Sequence, residues 1–272
     1  MTRASIVLAT AALVAASTRP ACGGSACSLE DLDARSRFVE DSVGKDAPSP
    51  WDGEAVVIDI AAAGAGGIEV RAAPETTKVI ATATFVAVAD TYDKESADLS
   101  IADAKAGFAV ETVGKTTTVR CPNGKDHGSS LGADAGCEKV VVSLPLGAAD
   151  KPLRLTVRAR RGALAVSTGT AVLAQADLAA AEGDIDAALP ATKGSTVTLT
   201  AEAAGAVTVR VPAAFAADRI TLDAAQGTID TSAFPGLVSG QGRGPAGEGF
   251  ASLALVSRPK DGRGGRVVIA AQ

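Results

Sequence analysis

Four glycine-led phrases recur at nearly equal spacing in the second half of this chain. The glycines lie 21, 22 and 22 residues apart, at Gly162, Gly183, Gly205 and Gly227. An apolar residue stands two positions after each of them, at Leu164, Ile185, Val207 and Ile229. Repeats of roughly 20–50 residues are typical of arrays in which each unit packs only against its neighbours. This spacing constrains the fold more than any other feature of the sequence.

Each repeat contains short segments in which apolar and polar residues alternate, as in a strand with one buried face. Residues 207–210 read Val-Thr-Val-Arg, and Pro212 follows them. Proline ends a strand because it has no N–H to donate to the ladder. Glycine permits a corner with positive φ or a close approach to a neighbouring chain. One repeat therefore predicts a strand, a glycine corner, a second strand and a stop.

We predict an all-β fold, specifically a β-solenoid similar to a parallel β-helix, with coils of about 22 residues. Stacked coils lie about 4.8 Å apart, so equivalent residues should form columns. The four apolar residues should form one interior column, and the four glycines should stand at the coil corners. One Trp, one Tyr and one Met suit a narrow interior. An antiparallel β-sandwich with evenly spaced strands is the alternative.

Two segments in the first half interrupt the strand pattern. Ala97, Ile101 and Ala104 fall at helical spacing within 92–105 and predict one short flanking helix. Cys121 and Cys137 enclose 15 residues rich in Gly, Asn, Asp and Ser, and we predict a disulfide between them. A metal site formed by these cysteines and His127 is the alternative. It lacks the closely spaced cysteine pair of most zinc sites, so we predict no metal ligand.

The amino terminus has the pattern of an export signal. An apolar stretch of 13 residues, 4–16, follows Arg3. It is shorter than the roughly 20 residues that a membrane-spanning helix needs. We predict a signal peptide over 1–21, a polar tether over 22–50 and the β-solenoid domain over 51–272. The helix-bearing and disulfide-bearing excursions fall within 90–137.

The junction after the signal resembles a bacterial lipoprotein signal, since a small residue, Ala21, precedes Cys22. It departs from that pattern at Arg19 and Pro20. We predict lipidation of Cys22 and a cell-envelope location, as an outer-membrane lipoprotein that faces the periplasm or the surface. The alternative is plain export as a soluble periplasmic or secreted protein, with a disulfide between Cys22 and Cys27.

The charge pattern argues against nucleic acid as a partner. The net charge is −5, and Arg158, Arg160 and Arg161 form only a short basic run, which we interpret as solvated side chains. Nucleophilic catalysis would need His127, the single histidine, but no Gly-x-Ser-x-Gly elbow accompanies it. We therefore predict a non-enzymatic protein with no catalytic residue and no cofactor.

Outward-facing carboxylates leave one enzymatic alternative open. Asp184, Asp186 and Asp230 should lie on the outer face of the coils, with Asp186 and Asp230 two coils or about 10 Å apart. Inverting glycosidases hold their carboxyl groups about 6.5–9.5 Å apart. A carbohydrate-active β-helix enzyme, either a polysaccharide lyase or a hydrolase, is thus the alternative function. A groove that holds clustered carboxylates and a basic or aromatic partner would favour it.

Three short motifs carry a resemblance to a known family. They are Gly-Asp-Ile-Asp at 183–186, Gly-Thr-Ile-Asp at 227–230 and Arg-Val-Pro at 210–212. In these motifs the chain resembles the putative adhesin family of bacterial envelope proteins, which are β-solenoids related to the auto-transporter adhesin head. The resemblance extends over 66–269. It implies an adhesin-like or scaffolding role without catalytic residues, a protein or polysaccharide partner in the envelope, and membrane contact only through the lipid anchor.

Overall fold

The computed structural model describes residues 35–61, 63–90, 94–128, 134–146 and 151–272. The predicted signal peptide, Cys22 and Cys27 lie outside these ranges. Within them, no helix is both long enough and apolar enough to cross a bilayer.

Seventeen strands and one helix are present in the described ranges. In chain order they are β1 (Arg35–Asp46), β2 (Ala55–Ile60), β3 (Ala63–Ala72), β4 (Ile80–Asp90), α1 (Lys94–Gly107), β5 (Ala109–Val113), β6 (Thr116–Cys121), β7 (Asp134–Leu144), β8 (Leu153–Ala159), β9 (Leu164–Ser167), β10 (Leu173–Ala180), β11 (Ile185–Ala188), β12 (Thr196–Ala201), β13 (Val207–Val211), β14 (Ile220–Ala224), β15 (Thr228–Asp230), β16 (Ser252–Ser257) and β17 (Arg266–Ala271).

The strands form two sheets that are not closed into a barrel. The first sheet has the order β1-β4-β7-β3-β9-β11-β13-β17-β15, and the second has the order β14-β16-β12-β10-β8-β2-β6-β5. From β6 onward, successive strands alternate between the two sheets. Pairs between named strands are parallel except for β1–β4, β4–β7 and β5–β6. The all-β prediction is confirmed as two mixed sheets with one helix.

The core lies between the inner faces of the two sheets, where apolar residues of neighbouring strands stand directly opposite one another. In the first sheet Leu164 pairs with Ile185, which pairs with Val207. In the second sheet Leu178 pairs with Leu199, which pairs with Leu255. All of these side chains are buried in one cluster. Alternation along each strand therefore directs the apolar residues into the space between the sheets.

The predicted column is wrong at its fourth member. Val207 pairs with Val267 of β17, and only Val267 pairs with Ile229. Ile229 is 47% exposed and is not an interior residue. After β15 the chain passes through 231–251 and returns, and it places β16 and β17 between two earlier pairs of strands. Ile229 therefore lies on the outermost strand of the first sheet.

The residues at the predicted corners are glycines because neighbouring strands approach closely there. A Cβ on Gly183 would lie 2.0 Å from the carbonyl oxygen of Gly162, and one on Gly205 would lie 2.2 Å from that of Gly183. A Cβ on Gly227 would contact Gly265 instead, at 2.0 Å from its carbonyl oxygen. Real Cβ atoms do not approach oxygen at these distances. Close approach, more than backbone conformation, therefore explains glycine at Gly205 and Gly227.

The second half of the predicted tether is wrong, because residues 35–46 form strand β1, which pairs antiparallel with β4. Phe38 and Val43 pack against the core from this strand. The exposed residues Arg37 and Val39 alternate with them. The segment looks polar because an edge strand buries only part of its surface. Its partner lies about 40 residues away, so no local pattern indicates the pairing.

The helix predicted over 92–105 is present as α1. Ala97, Ile101 and Ala104 are buried, and the helix packs on β4 and β7. Phe108, which follows the helix, contacts Phe85 edge to face, with ring centroids 5.9 Å apart. The helix thus covers the antiparallel part of the first sheet.

Candidate binding surface

Five basic side chains lie along β8 and at its two ends. All five are exposed, and they are Lys151, Arg154, Arg158, Arg160 and Arg161. Arg154 and Arg158 project outward because Leu155 and Val157, between them, are buried in the core. We call this set the β8 stripe. It lies on the outer face of the second sheet, between β2 and β10.

Carboxylates flank the β8 stripe on both sides. Asp59 of β2 stands directly opposite Arg158, and Asp177 of β10 stands opposite Thr156. At the end of the stripe Arg161 forms an ion pair with Glu182, at 3.6 Å. The surface therefore alternates between guanidinium, carboxylate and hydroxyl groups.

A cleft of about 470 Å³ opens at the start of β8, between the turn before β2 and the turn before β6. Lys115, Lys151 and Arg154 line it together with Asp52 and Glu54. Lys115 Nζ lies 2.8 Å from Glu54 Oε1. The Lys115 hydrogen bond lowers the pKa of Glu54, with Arg154 adding to the effect, and the same bond raises the pKa of Lys115. We call this site the corner cleft.

A second cleft, of about 410 Å³, lies at the other end of β2 and β6. Asp59, Glu111 and Arg120 line it, and Arg120 Nη2 is 2.5 Å from Glu111 Oε2. Asp59 stands opposite Arg120 on one side and Arg158 on the other. We call this site the carboxylate cleft. Two carboxylates and a guanidinium share it, which is the arrangement that the enzymatic alternative requires.

The carboxylates singled out in the repeats do not form a pair. Asp186 and Asp230 belong to β11 and β15, with β13 and β17 between them. Three strand spacings separate these two strands by about 14 Å, not the predicted 10 Å. The inserted strand β17 accounts for the difference. Each carboxylate instead has a basic partner, since Asp186 pairs with Arg210 and Asp230 with Arg266.

Asp184 and Asp230 also accept backbone hydrogen bonds. The amide of Ala206 donates to Asp184 Oδ1 at 2.7 Å, and the amide of Ser232 donates to Asp230 Oδ1 at 3.0 Å. Hydrogen bonds from Ser232, with a further contribution from Arg266, lower the pKa of Asp230 to about 2. These carboxylates thus stabilise corners and strand ends.

The two cysteines and His127 of the 90–137 excursion do not come together in one site. Cys121 and Cys137 form a disulfide with Cα atoms 6.2 Å apart. His127 Nε2 lies 2.7 Å from Asp103 Oδ2 on α1, and this hydrogen bond lowers the pKa of Asp103. His127 therefore fastens its loop to the helix. In the described part of the chain, no cluster of three His, Cys, Asp or Glu residues could hold a metal ion.

The basic run of Arg158, Arg160 and Arg161 is recognisable in the sequence, but neither cleft is. The outward direction of Arg154 and Arg158 could have been read from the alternation in Leu-Arg-Leu-Thr-Val-Arg. The clefts depend on contacts such as Lys115 with Glu54, 61 residues apart. No local signal reports which distant strands become neighbours.

No family model matches this chain, and no curated protein matches it. A solved structure with a similar fold is the crystal structure of a "putative cell adhesion protein" from Clostridium sporogenes. The similarity covers 88% of this chain and 100% of that chain, with a TM-score of 0.57 and 12% sequence identity. At this identity the likeness is one of fold.

Proposed function

We propose that this chain is an exported, non-enzymatic protein of the cell envelope that acts as an adhesin-like or scaffolding module. Its body is a β-solenoid with coils of about 22 residues. A lipid on Cys22 holds it to the outer membrane, and its partner is an envelope protein or polysaccharide.

The observation that carries this proposal is the in-register stacking of parallel strands, which leaves broad outer faces on both sheets. Leu164, Ile185 and Val207 stand opposite one another, as one residue per coil should. Such faces suit contact with an extended partner. The description of the structural neighbour as a cell adhesion protein points the same way.

The disulfide supports the proposed location. Cys121 and Cys137 close a loop with 15 residues between them. Disulfides of this kind persist in oxidising compartments such as the periplasm and the cell surface. Peptide mapping of the protein from exporting cells, without reduction, should recover these two cysteines in one linked pair. Free thiols at both positions in exported protein would contradict the proposal.

The binding role is tested by incubating the purified full chain with separated protein and polysaccharide fractions of a cell envelope. We expect saturable retention by one fraction, with no change in the length of its polymers. Failure to bind any fraction saturably would reject the binding role.

The anchor is tested by labelling exporting cells with a palmitate analogue. We expect the wild type and Cys27→Ser to be labelled and Cys22→Ser to lose the label. Labelled Cys22→Ser protein would reject lipidation at this position and would favour soluble export.

The carboxylate cleft favours a carbohydrate-active enzyme as the second candidate function. Asp59 and Glu111 are available there as acid and base, and Arg120 lies beside Glu111. An enzyme would produce new reducing ends from an envelope polysaccharide, and Asp59→Asn with Glu111→Gln would abolish them. A wild-type chain that binds polysaccharide without producing reducing ends would reject this candidate.

A further inference from the structure

We propose that the β8 stripe binds an acidic polysaccharide, with the guanidinium groups of Arg154 and Arg158 pairing with carboxylates of the polymer. The inference rests on the proposed binding role and adds the chemistry of the ligand and the face that takes it.

The sheet holds the backbone positions of the two arginines at a fixed spacing. Arg154 and Arg158 are four residues apart on one strand, so their Cα atoms are roughly 13 Å apart. β8 is hydrogen-bonded on both sides, to β2 and to β10, so its backbone is fixed. Two like charges anchored along one strand match a linear polymer that carries repeated negative groups.

The exposed arginines fall into two groups, those held in ion pairs and those without one. Arg120 pairs with Glu111, and Arg266 pairs with Asp230. Within the described ranges, Arg154, Arg158 and Arg160 of the stripe have no carboxylate within 4.0 Å, and the same holds for Arg219 and Arg263 elsewhere on the surface. Their donors are therefore available to a ligand, and a guanidinium binds a carboxylate through two parallel hydrogen bonds.

The groups between the cations suit sugar hydroxyls. Asp59 and Asp177 can accept hydrogen bonds from hydroxyl groups, and Thr156 can donate or accept. A sugar acid offers both carboxylates and hydroxyls, and so complements the whole surface. The outward residues of β2, β8, β10 and β12 are Ala, Val, Asp, Arg, Thr and Gln, with no aromatic ring on which bases could stack. Because no ring is available for stacking, a polysaccharide is favoured over a single-stranded nucleic acid.

The corner cleft extends the same surface at the start of β8. Its volume of about 470 Å³ falls within the roughly 300–1,000 Å³ of small-molecule sites. Arg154 and Lys151 belong to both the cleft and the stripe, and Lys115 adds a third cation, which is paired with Glu54. A chain end or a branch of the polymer can enter the cleft while the main chain follows β8.

The test measures binding of the purified full chain to polygalacturonate, in which every sugar carries a carboxylate. Neutral dextran and a single-stranded DNA oligonucleotide are the comparison ligands. The variant Arg154→Gln/Arg158→Gln removes two charges from the stripe. The control Arg219→Gln/Arg263→Gln removes two charges from other parts of the surface. Circular dichroism and thermal melting check that both variants keep the fold.

We expect saturable binding to polygalacturonate that weakens with salt, and no saturable binding to dextran. The stripe variant should bind polygalacturonate about tenfold or more weakly, since each lost charged hydrogen bond has a large effect on affinity. The control should stay within about twofold, because it makes no ligand contact.

Equal weakening in both variants would show that only net charge matters and would overturn the inference. Equal binding of dextran would also overturn it, and tighter binding of the oligonucleotide would replace it with nucleic-acid recognition. If the chain is retained by an envelope fraction but does not bind polygalacturonate, this inference fails while the proposed binding role stands.

Discussion

The order of neighbouring strands follows chain order in the middle of the two sheets but not at their ends. In the middle, β9, β11 and β13 pair in the order in which the chain makes them. At the last end, which holds the carboxyl-terminal strands, β16 and β17 lie between strands that precede them in the chain. At the first end, which holds the amino-terminal strands, β2 lies between β6 and β8, and β3 lies between β7 and β9. A sequence repeat therefore identifies neighbouring strands only where successive repeats pair with one another.

The side chains differ between these regions as well. All six phenylalanines lie outside the middle strands, β8 to β13. Phe215 contacts Phe234 and Phe250 at the last end, with centroids 5.0 and 6.2 Å away. Aliphatic side chains fill the core of the middle strands, whereas aromatic rings pack at the two ends, where the regular pairing stops.

Each end also covers strand edges that would otherwise be open. At the last end Ile220 of β14 donates to Gln241 at 2.9 Å and accepts from Gly240 at 2.7 Å. At the first end, the antiparallel strands β1, β4 and β5 extend the sheets. Uncovered parallel strands invite pairing with other chains, so both ends need such segments.

The largest expected effect tests the inserted strands. Leu255 pairs with Leu199 on one side and Leu222 on the other, and it is fully buried. Leu255→Ala should lower the free energy of unfolding by about 4 kcal/mol, and Leu222→Ala by about 2 kcal/mol, because Leu222 lies on the outermost strand. Urea unfolding of the full chain measures both. The opposite ranking would mean that chain order also sets stacking order at this end.

The next prediction separates close approach from backbone conformation. Gly205→Ala should destabilise the fold by about 2–3 kcal/mol, because the new methyl group would overlap the Gly183 carbonyl. Gly194 has φ of +75°, but a methyl group added there would meet no other atom within 4 Å. Gly194→Ala should therefore cost only about 1 kcal/mol. Equal losses would show that the column does not require glycine for space.

A smaller and opposite effect is expected at the turn beside that column. Ala203 and Ala204 have φ of 56° and 61°, and Gly205 donates to Glu202 at 3.2 Å across the turn. Two successive positive φ values define a type I′ turn, in which Asn-Gly is strongly preferred. Ala203→Asn/Ala204→Gly should raise the free energy of unfolding by about 1 kcal/mol. An unchanged or lowered value would mean that the alanines carry no strain.

The smallest effect depends on pH and concerns the outermost strand, β15. The pKa of Asp230 is lowered to about 2 by Ser232 and Arg266, compared with about 3.9 in an unfolded chain. A lowered pKa adds stability that is complete above about pH 4 and is lost as the pH falls towards 2. At pH 6 the Asp230→Asn variant should unfold at a lower urea concentration than the wild type. The difference between the two unfolding midpoints should narrow as the pH falls from 4 to 2. A constant difference would contradict this reasoning.

Some features of the candidate surface could be predicted from particular residues. The alternation in 153–158 indicates that Arg154 and Arg158 face outward and that Leu155 and Val157 face inward. The corner cleft could not be predicted, because Lys115 reaches Glu54 only after β6 pairs with β2. The same holds for β1, which needs β4 before its apolar residues have a core to contact.

By itself the sequence determined the period, most of the inward positions and the glycines that let neighbouring strands approach. These are properties of each repeat, since burial and backbone contact act on one repeat at a time. Only the tertiary structure decided which strands are neighbours at the ends, and so exposed Ile229 and separated Asp186 from Asp230. Strand edges pair through backbone groups that are alike in every repeat, so the repeat pattern does not distinguish one possible neighbour from another.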